Sequence, residues 1–298
     1  MKEIVRRVLN EQFNPKIIKE CTIAAVRLGD EIILAKNRDR GYRAKVEVVH
    51  EIKDGTEILY WRDVDTDWSE GLNEYGIGII NSSLWVVKDE KEGHEVKSRR
   101  EKSKTKVGIS NDGKIIREAL SKKNLKDVIN TIINFSPNNN EKKGLKGVTF
   151  VSNNEDVIVI EIDKKNNTIV KKLKNTEKVL VRTNHGVFLK NTGYLNGEKR
   201  KSSINRMKVA HKHLKDVTTD SDVLKKLKKN YEKDTFYNPY RVKNMYNMQT
   251  TGQIMLNLKK KEVTIDLDKK MGKFLGFIKE LPKNYKPKIK VKIIGEKS

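Results

Sequence analysis

Residues 21–39 read CTIAAVRLGDEIILAKNRD and contain Cys21, the single cysteine among 298 residues. Two apolar runs are joined by Gly29-Asp30, a typical turn dipeptide, so the stretch predicts a β-hairpin. Cys21 opens the first run and the polar residues 36–39 end the second, so the hairpin brings a thiol and polar groups together. A lone cysteine is more often a small buried apolar residue. Its position at the start of a strand favours a nucleophile here.

The length and composition predict a soluble protein with one substantial core or two small ones. Apolar residues make up 36% of the chain, and no segment approaches the roughly 18 uninterrupted apolar residues of a membrane span. A single cysteine cannot form an internal disulfide, and the first residues scatter charges among apolar positions, unlike a signal peptide. We therefore expect a cytoplasmic protein without membrane association, and leave open whether it forms a homo-oligomer.

The chain is strongly basic, with a formal net charge of +24 from 64 Lys and Arg against 40 Asp and Glu. Such a charge attracts polyanions non-specifically. Basic residues occur from end to end, however, and the densest run, 97–106, contains no aromatic residue on which a base could stack. We interpret the charge as a property of composition and expect only weak, sequence-independent binding of polyanions.

The order of apolar patterns predicts an α+β protein in which helices pack on sheets. Helical spacing is found at 3–13, at 115–133 with a break near Lys123-Asn124, and at 204–214. The strand-like runs are 22–26, 31–35, 45–52, 56–61, 76–81, 84–87, 147–152, 156–162, 168–173, 179–183, 253–258 and 262–267.

Several short motifs, in order along the chain, resemble those of one enzyme family. Cys21-Thr22 followed by 36–39 is similar to the opening of the linear-amide N-terminal-nucleophile hydrolases. This family includes the choloylglycine hydrolases, penicillin V acylases, acid ceramidases and the acyl-coenzyme A:isopenicillin N acyltransferase-like group. The further matches are LNEYGI at 72–77 with Asn81 beyond it, DG at 112–113 with IREAL at 116–120, RTNH at 182–185 and SSINR at 202–206.

The resemblance implies a four-layer αββα sandwich over residues 21–298, preceded by a leader, 1–20, that is removed by self-cleavage before Cys21. It implies a cysteine amidohydrolase or acyltransferase that acts on a small linear, non-peptide or modified amide, without a cofactor. Cleavage would give Cys21 a free α-amino group. The ordinary pKa of that group, about 7.7 to 8.0, suits a general base near neutral pH.

The resemblance also implies roles for four other residues. Asp39 would accept a hydrogen bond from the Cys21 amine, Asn81 and Asn184 would donate to the oxyanion, and Arg206 would support the nucleophile electrostatically. Taken singly, three of them have a plainer interpretation: Asp39 as a residue that closes a turn, Asn184 as a loop cap, and Arg206 as a surface residue beside a helical apolar stripe.

Four other residues bear on this interpretation. His185 would be the partner of Cys21 in a papain-like dyad, but the sequence around the cysteine is unlike that group. His211 and His213 are two apart and would diverge on a helix, so we predict no metal site. Glu20 stands where the acyltransferase-like group often has Gly. The alternative is a catalytically idle member of the fold that serves as a basic binding or structural protein, with autocleavage as its only chemistry.

If the charge reflects composition alone, nucleic-acid binding should weaken steeply between about 50 and 200 mM salt and be independent of base sequence. Fluorescence anisotropy with two unrelated duplexes checks this at several salt concentrations. A tight complex that persists in high salt would instead support the binding-protein alternative.

Overall fold

The computed structural model describes residues 19–84, 111–137, 144–242 and 248–294. The predicted helix at 3–13, the basic run at 97–106 and residues 85–87 of one predicted strand lie outside these ranges. None of the helices in the described ranges is both long and apolar enough to span a bilayer.

Among the described residues, the first sheet contains six strands and carries the hairpin of Cys21. Its order is β10-β1-β2-β11-β12-β14, antiparallel throughout except for the parallel pair β12 and β14. The strands are β1 Lys19–Leu28, β2 Glu31–Arg40, β10 Val179–Arg182, β11 Gln249–Asn257, β12 Glu262–Leu267 and β14 Lys290–Ile294.

In the part of the chain that the structure describes, the second sheet contains eight strands in the order β13-β3-β4-β5-β6-β7-β8-β9, and only the pair of β13 and β3 is parallel. The strands are β3 Ala44–Lys53, β4 Thr56–Asp63, β5 Trp68–Asn73, β6 Gly78–Ser82, β7 Gly147–Ser152, β8 Val157–Ile162, β9 Thr168–Lys172 and β13 Gly272–Glu280.

Each sheet buries both faces. One core lies between the sheets and takes Ile23 and Leu34 from the hairpin and Trp61 from β4. Because side chains alternate along a strand, the intervening Ala24 and Ala35 point to the opposite face. That face packs on helices α3, Gly197–Leu214, and α4, Asp220–Lys228.

The outer face of the second sheet packs on α1, Asp112–Leu120, and α2, Leu125–Asn134. The layers therefore run helices, sheet, sheet, helices, which confirms the predicted α+β class and the αββα arrangement. The predicted break between the two helices is also present. Asn124 caps α2 by accepting a hydrogen bond from the Asp127 backbone N–H.

The structure differs from the sequence prediction at the first strand. β1 begins two residues before Cys21, because Lys19 and Glu20 pair with Arg40 and Asp39 of β2. Cys21 is therefore the third residue of the strand, and the peptide bond before it lies within the sheet.

Four other elements were not predicted: β5, α4, β13 and β14. The strands β13 and β14 lie at sheet edges, each held by one parallel neighbour, and alternate exposed and half-buried residues, many of them lysines. Phe274 and Ile278 of β13 and Val291 and Ile293 of β14 pack against the cores at alternate positions, a local signal that the sequence interpretation missed.

Candidate active site

The main-chain groups of Cys21 are held by two buried side chains. Its backbone N–H donates to Asn184 Oδ1 at 3.1 Å. Its carbonyl oxygen accepts from Arg206 Nη1 at 2.9 Å. The side chain is buried with 1% exposure, and by alternation its thiol lies on the face directed to the second sheet, the face of Ile23.

The orientation of Asn184 follows from its partners. Its oxygen receives hydrogen bonds from the Cys21 N–H and from Arg206 Nη2 at 2.9 Å, both of which can only donate. Its Nδ2 donates to Ser82 Oγ at 3.1 Å and to the Ser83 carbonyl at 2.9 Å. The family resemblance implied that the side-chain N–H of Asn184 donates to the oxyanion. In the structure, the side-chain oxygen of Asn184 faces the Cys21 nitrogen instead.

The position of Asn184 follows from the pairing of β10 with β1. Ile23 pairs with Arg182, so the chain that leaves β10 passes beside Cys21. The Asn184 backbone N–H donates to Ser203 Oγ on α3 at 2.9 Å, which fixes this segment to the helix. The RTNH and SSINR motifs therefore meet at the thiol-bearing end of β1.

Arg206 joins these segments. It is fully buried on α3, not at the helix surface. Besides Cys21 and Asn184, it donates to Thr22 Oγ1 at 3.2 Å and to Glu20 Oε2 at 3.1 Å. Burial, and then the nearby Arg241, lower its pKa to about 10, so the guanidinium stays charged at neutral pH.

Two carboxylates share two arginines on the helix side of β1 and β2. Arg241 Nη1 lies 2.7 Å from Glu20 Oε2, and Asp39 Oδ2 lies 3.8 Å from both Arg206 Nη1 and Arg241 Nε. Thr250 donates to Asp39 Oδ1 at 2.7 Å, and Tyr194 donates to Glu20 Oε1 at 2.7 Å.

The two carboxylates respond differently to the same surroundings. Burial raises the pKa of Asp39 despite the two arginines. For Glu20, burial acts in the same direction, but the closer charges of Arg241 and Arg206 outweigh it and lower the pKa. Glu20 is therefore the more strongly held anion.

The thiol faces a second charged cluster between the sheets. Arg40 Nη1 lies 3.9 Å from Cys21 Sγ. Lys36 and Arg38 precede Arg40 at alternate positions of β2, and both donate to the buried carboxylate of Glu70. Burial alone would raise the pKa of Glu70, but Arg38 and Lys36 lower it to about 2. Burial lowers the pKa of Lys36.

Five residues of these clusters were missed in the sequence interpretation: Arg40, Glu70, Tyr194, Arg241 and Thr250. The first had a recognisable signal, since lysine or arginine at every second position from 36 to 40 places three cations on one strand face. The other four come from separate elements and carried no local signal.

The side chain of Asn81 does not join Cys21. It follows Ile80 of the inter-sheet core on β6 and so points to the opposite face, where Nδ2 donates to Thr149 Oγ1 at 2.7 Å. Its backbone carbonyl accepts from Lys36 Nζ at 2.6 Å. Asn81 therefore contacts the charged cluster through its main chain.

His185 bonds to the α3 motif. Its Nδ1 lies 2.9 Å from Ser203 Oγ and 3.2 Å from Thr183 Oγ1. Burial, followed by the charges of Arg200 and Arg206, lowers its pKa to about 4. Within the described ranges, no group of three or more His, Cys, Asp or Glu side chains is arranged to hold a metal ion.

No protein-family model matches the chain, and no curated protein matches it. Among solved structures, the chain is similar to a penicillin V acylase from Agrobacterium tumefaciens. The identity is 12% over 87% of this chain and 95% of that chain, with a TM-score of 0.48. At this identity and TM-score, the similarity supports no conclusion about chemistry. The αββα layering follows from the packing of the two sheets on each other and of the helices on their outer faces.

The lowered pKa of His185 predicts a pH-dependent stability. The folded value, about 4, lies below the ordinary value of about 6.5, so the folded state binds fewer protons between them. The contribution of neutral His185 to the free energy of unfolding is complete above about pH 6.5 and is lost as the pH falls toward 4. His185→Gln should therefore lose less stability than the wild type between pH 7 and 5, as measured by urea unfolding. Equal losses would contradict the neutral, buried histidine.

Proposed function

We propose that this protein is an amide hydrolase or acyltransferase whose nucleophile is the thiol of Cys21, matured by cleavage of the bond between Glu20 and Cys21. The observation that carries the proposal is the environment of the Cys21 nitrogen. Asn184 Oδ1 accepts from that nitrogen, and Arg206 holds both Asn184 and the Cys21 carbonyl. The atom that cleavage would free is thus already oriented in a buried polar site.

Cleavage needs no group beyond those of the chain and one water molecule. Cys21 Sγ attacks the Glu20 carbonyl carbon, the bond from that carbon to the Cys21 nitrogen breaks, and the thiol proton passes to the nitrogen. Water then hydrolyses the resulting thioester. The products are a new carboxylate on Glu20 and a free amine and thiol on Cys21.

In the mature enzyme, the α-amine would act as the base. Asn184 Oδ1 would accept a hydrogen bond from the amine, which leaves the nitrogen lone pair to take the thiol proton. The thiolate would then attack the substrate carbonyl, and the protonated base would return the proton to the leaving amine. Water completes a hydrolysis, whereas a second amine completes an acyl transfer.

The remaining groups would support this reaction through charge. Arg40 contacts Sγ, and its Nη2 has no hydrogen-bond partner in the part of the chain described, so it is the best-placed donor to an oxyanion beside the thiol. Asn81 would contribute by fixing Lys36 through its carbonyl. Asp39 would act through Arg206 as a positioning residue, because their closest charged atoms are 3.8 Å apart.

The contacts of Glu20 favour a second candidate function, that of a catalytically idle member of the fold that serves as a basic binding or structural protein. The carboxylate of Glu20 is held by Arg206, Arg241 and Tyr194, and these contacts stabilise the uncut strand. A chain that remained uncut would lack the catalytic amine and would retain only its basic surface for binding.

The first test is the mass of the purified protein. Wild-type protein should have the mass of residues 21–298, and Cys21→Ala should keep the mass of all 298 residues, because only the thiol can attack the preceding carbonyl. Intact-mass spectrometry measures both. Wild-type protein that hydrolyses an amide with residues 1–20 still attached would contradict the proposal.

The second test concerns the orientation of the base. Asn184→Ala removes the acceptor of the Cys21 nitrogen and should lower kcat by roughly 100-fold, with a smaller change in KM, since misplacement of a catalytic group by about 1 Å has this effect. Turnover of a penicillin or an N-acyl amino acid is measured per titrated Cys21 thiol.

The matched control is Asn191→Ala, an exposed asparagine seven positions further along the chain, which should turn over like the wild type. Equal turnover per thiol in Asn184→Ala and wild type would remove Asn184 from the mechanism.

A further inference from the structure

The carboxylate of Glu20 occupies a built anion site. It is held by Arg206 at 3.1 Å, Arg241 at 2.7 Å and the Tyr194 hydroxyl at 2.7 Å, and Glu20 is only 1% exposed. Tyr194 and Lys199 are half-buried, and the charge of Lys199 also lowers the pKa of Glu20. The site therefore lies just beneath the surface.

Cleavage before Cys21 would remove the anion and leave its partners. Glu20 and Asp39 balance Arg206 and Arg241 in the uncut chain. Without Glu20, two buried guanidinium groups would face one carboxylate, beside a newly formed amine. An uncompensated buried charge is strongly destabilising, so the vacated site favours another anion. Nε of Arg206 and Nε of Arg241 have no hydrogen-bond partner among the described residues.

The chemistry of cleavage indicates which part of a substrate would bring that anion. Glu20 provides the carbonyl side of the amide bond that Cys21 would cleave. The acyl group of a substrate would be attacked by the same thiol. In the uncut chain, the thiol and the Glu20 side chain lie on opposite faces of β1. After cleavage the strand would begin at Cys21, and an acyl group bound to the thiol would lie beside the new amino terminus, from which either face can be reached.

We infer, on the basis of the proposed function, that the substrate is an amide of a dicarboxylic acid whose free carboxylate takes the place of Glu20 between Arg206, Arg241 and Tyr194. In a glutamate residue, three carbons separate the main-chain carbonyl from the side-chain carboxylate. The matching substrate has the same spacing, as in a glutaryl amide. Glu20 thus serves in the uncut chain as an internal occupant of the acyl site.

The anion site is tested first without catalysis, in uncut chains. Cys21→Ala keeps Glu20 in place, whereas Cys21→Ala/Glu20→Ala vacates the site. Glutarate at 20 mM should raise the Tm of the double variant by about 3 °C or more and leave that of Cys21→Ala unchanged. Neutral glutaramide should raise neither.

The matched control is Cys21→Ala/Glu155→Ala, which removes an exposed glutamate and should behave like Cys21→Ala. Equal shifts in all three proteins, or a folded double variant without a shift, would overturn the inference.

The second test uses the mature wild-type enzyme and remains valid if the double variant does not fold. Glutaryl-p-nitroanilide and pentanoyl-p-nitroanilide have acyl chains of equal length and differ in the terminal carboxylate. The ratio of their kcat/KM values should favour the glutaryl compound by at least about 100-fold, since a site built for a polar group rejects an analogue that lacks it. Arg241→Gln should reduce that ratio, and Arg241→Lys should restore part of it.

The outcomes separate the two proposals. Hydrolysis of both anilides at similar rates would overturn the inference and leave the proposed function in place. A retained leader with no hydrolysis of either anilide would overturn the proposed function, and the Tm comparison would then decide the anion site alone.

Discussion

The structure around Cys21 depends on one buried cation. The guanidinium of Arg206 has no exposure, so its charge and its two terminal nitrogens need partners from the protein. It finds them on Cys21, Thr22, Glu20 and Asn184. A planar group with donors in a fixed geometry can hold several segments at once, which a lysine could not do. Arg206 thereby fixes the end of β1 relative to α3 and to the chain after β10.

Because side chains alternate along β1, the strand that carries Cys21 has different charged groups on its two faces. Its inter-sheet face holds the thiol with Lys36, Arg38 and Arg40, while the helix face holds Glu20 against Arg206 and Arg241. In the uncut chain the strand keeps these environments apart. Cleavage before Cys21 would merge them, so a single hydrolysed peptide bond would change both the nucleophile and the charge of its surroundings.

Glu20 bears on both candidate functions, because the groups that contact its carboxylate would have opposite effects before and after cleavage. While the peptide bond is intact, the two arginines and Tyr194 hold Glu20 in the sheet. On the proposed function, the same groups would form a site for another carboxylate once the bond is cut. Under the proposed function, the covalent state of this one bond would distinguish an enzyme from an idle member of the fold.

Strong apolar periodicity was sufficient to predict several elements without the structure. The hairpin of 21–39, the broken helical region at 115–133 and the helix at 204–214 followed from apolar spacing, and the motifs at 182–185 and 202–206 named residues that do meet at Cys21. Local alternation could show β13 and β14 as strands, but it could not show their parallel pairing with β3 and β12. Nor could they show which end of Asn184 faces Cys21, or that Arg241 and Tyr194 share Glu20. These partners lie between 163 and 221 positions apart, and only the packing of α3 and the two sheets around a common buried charge brings them into contact.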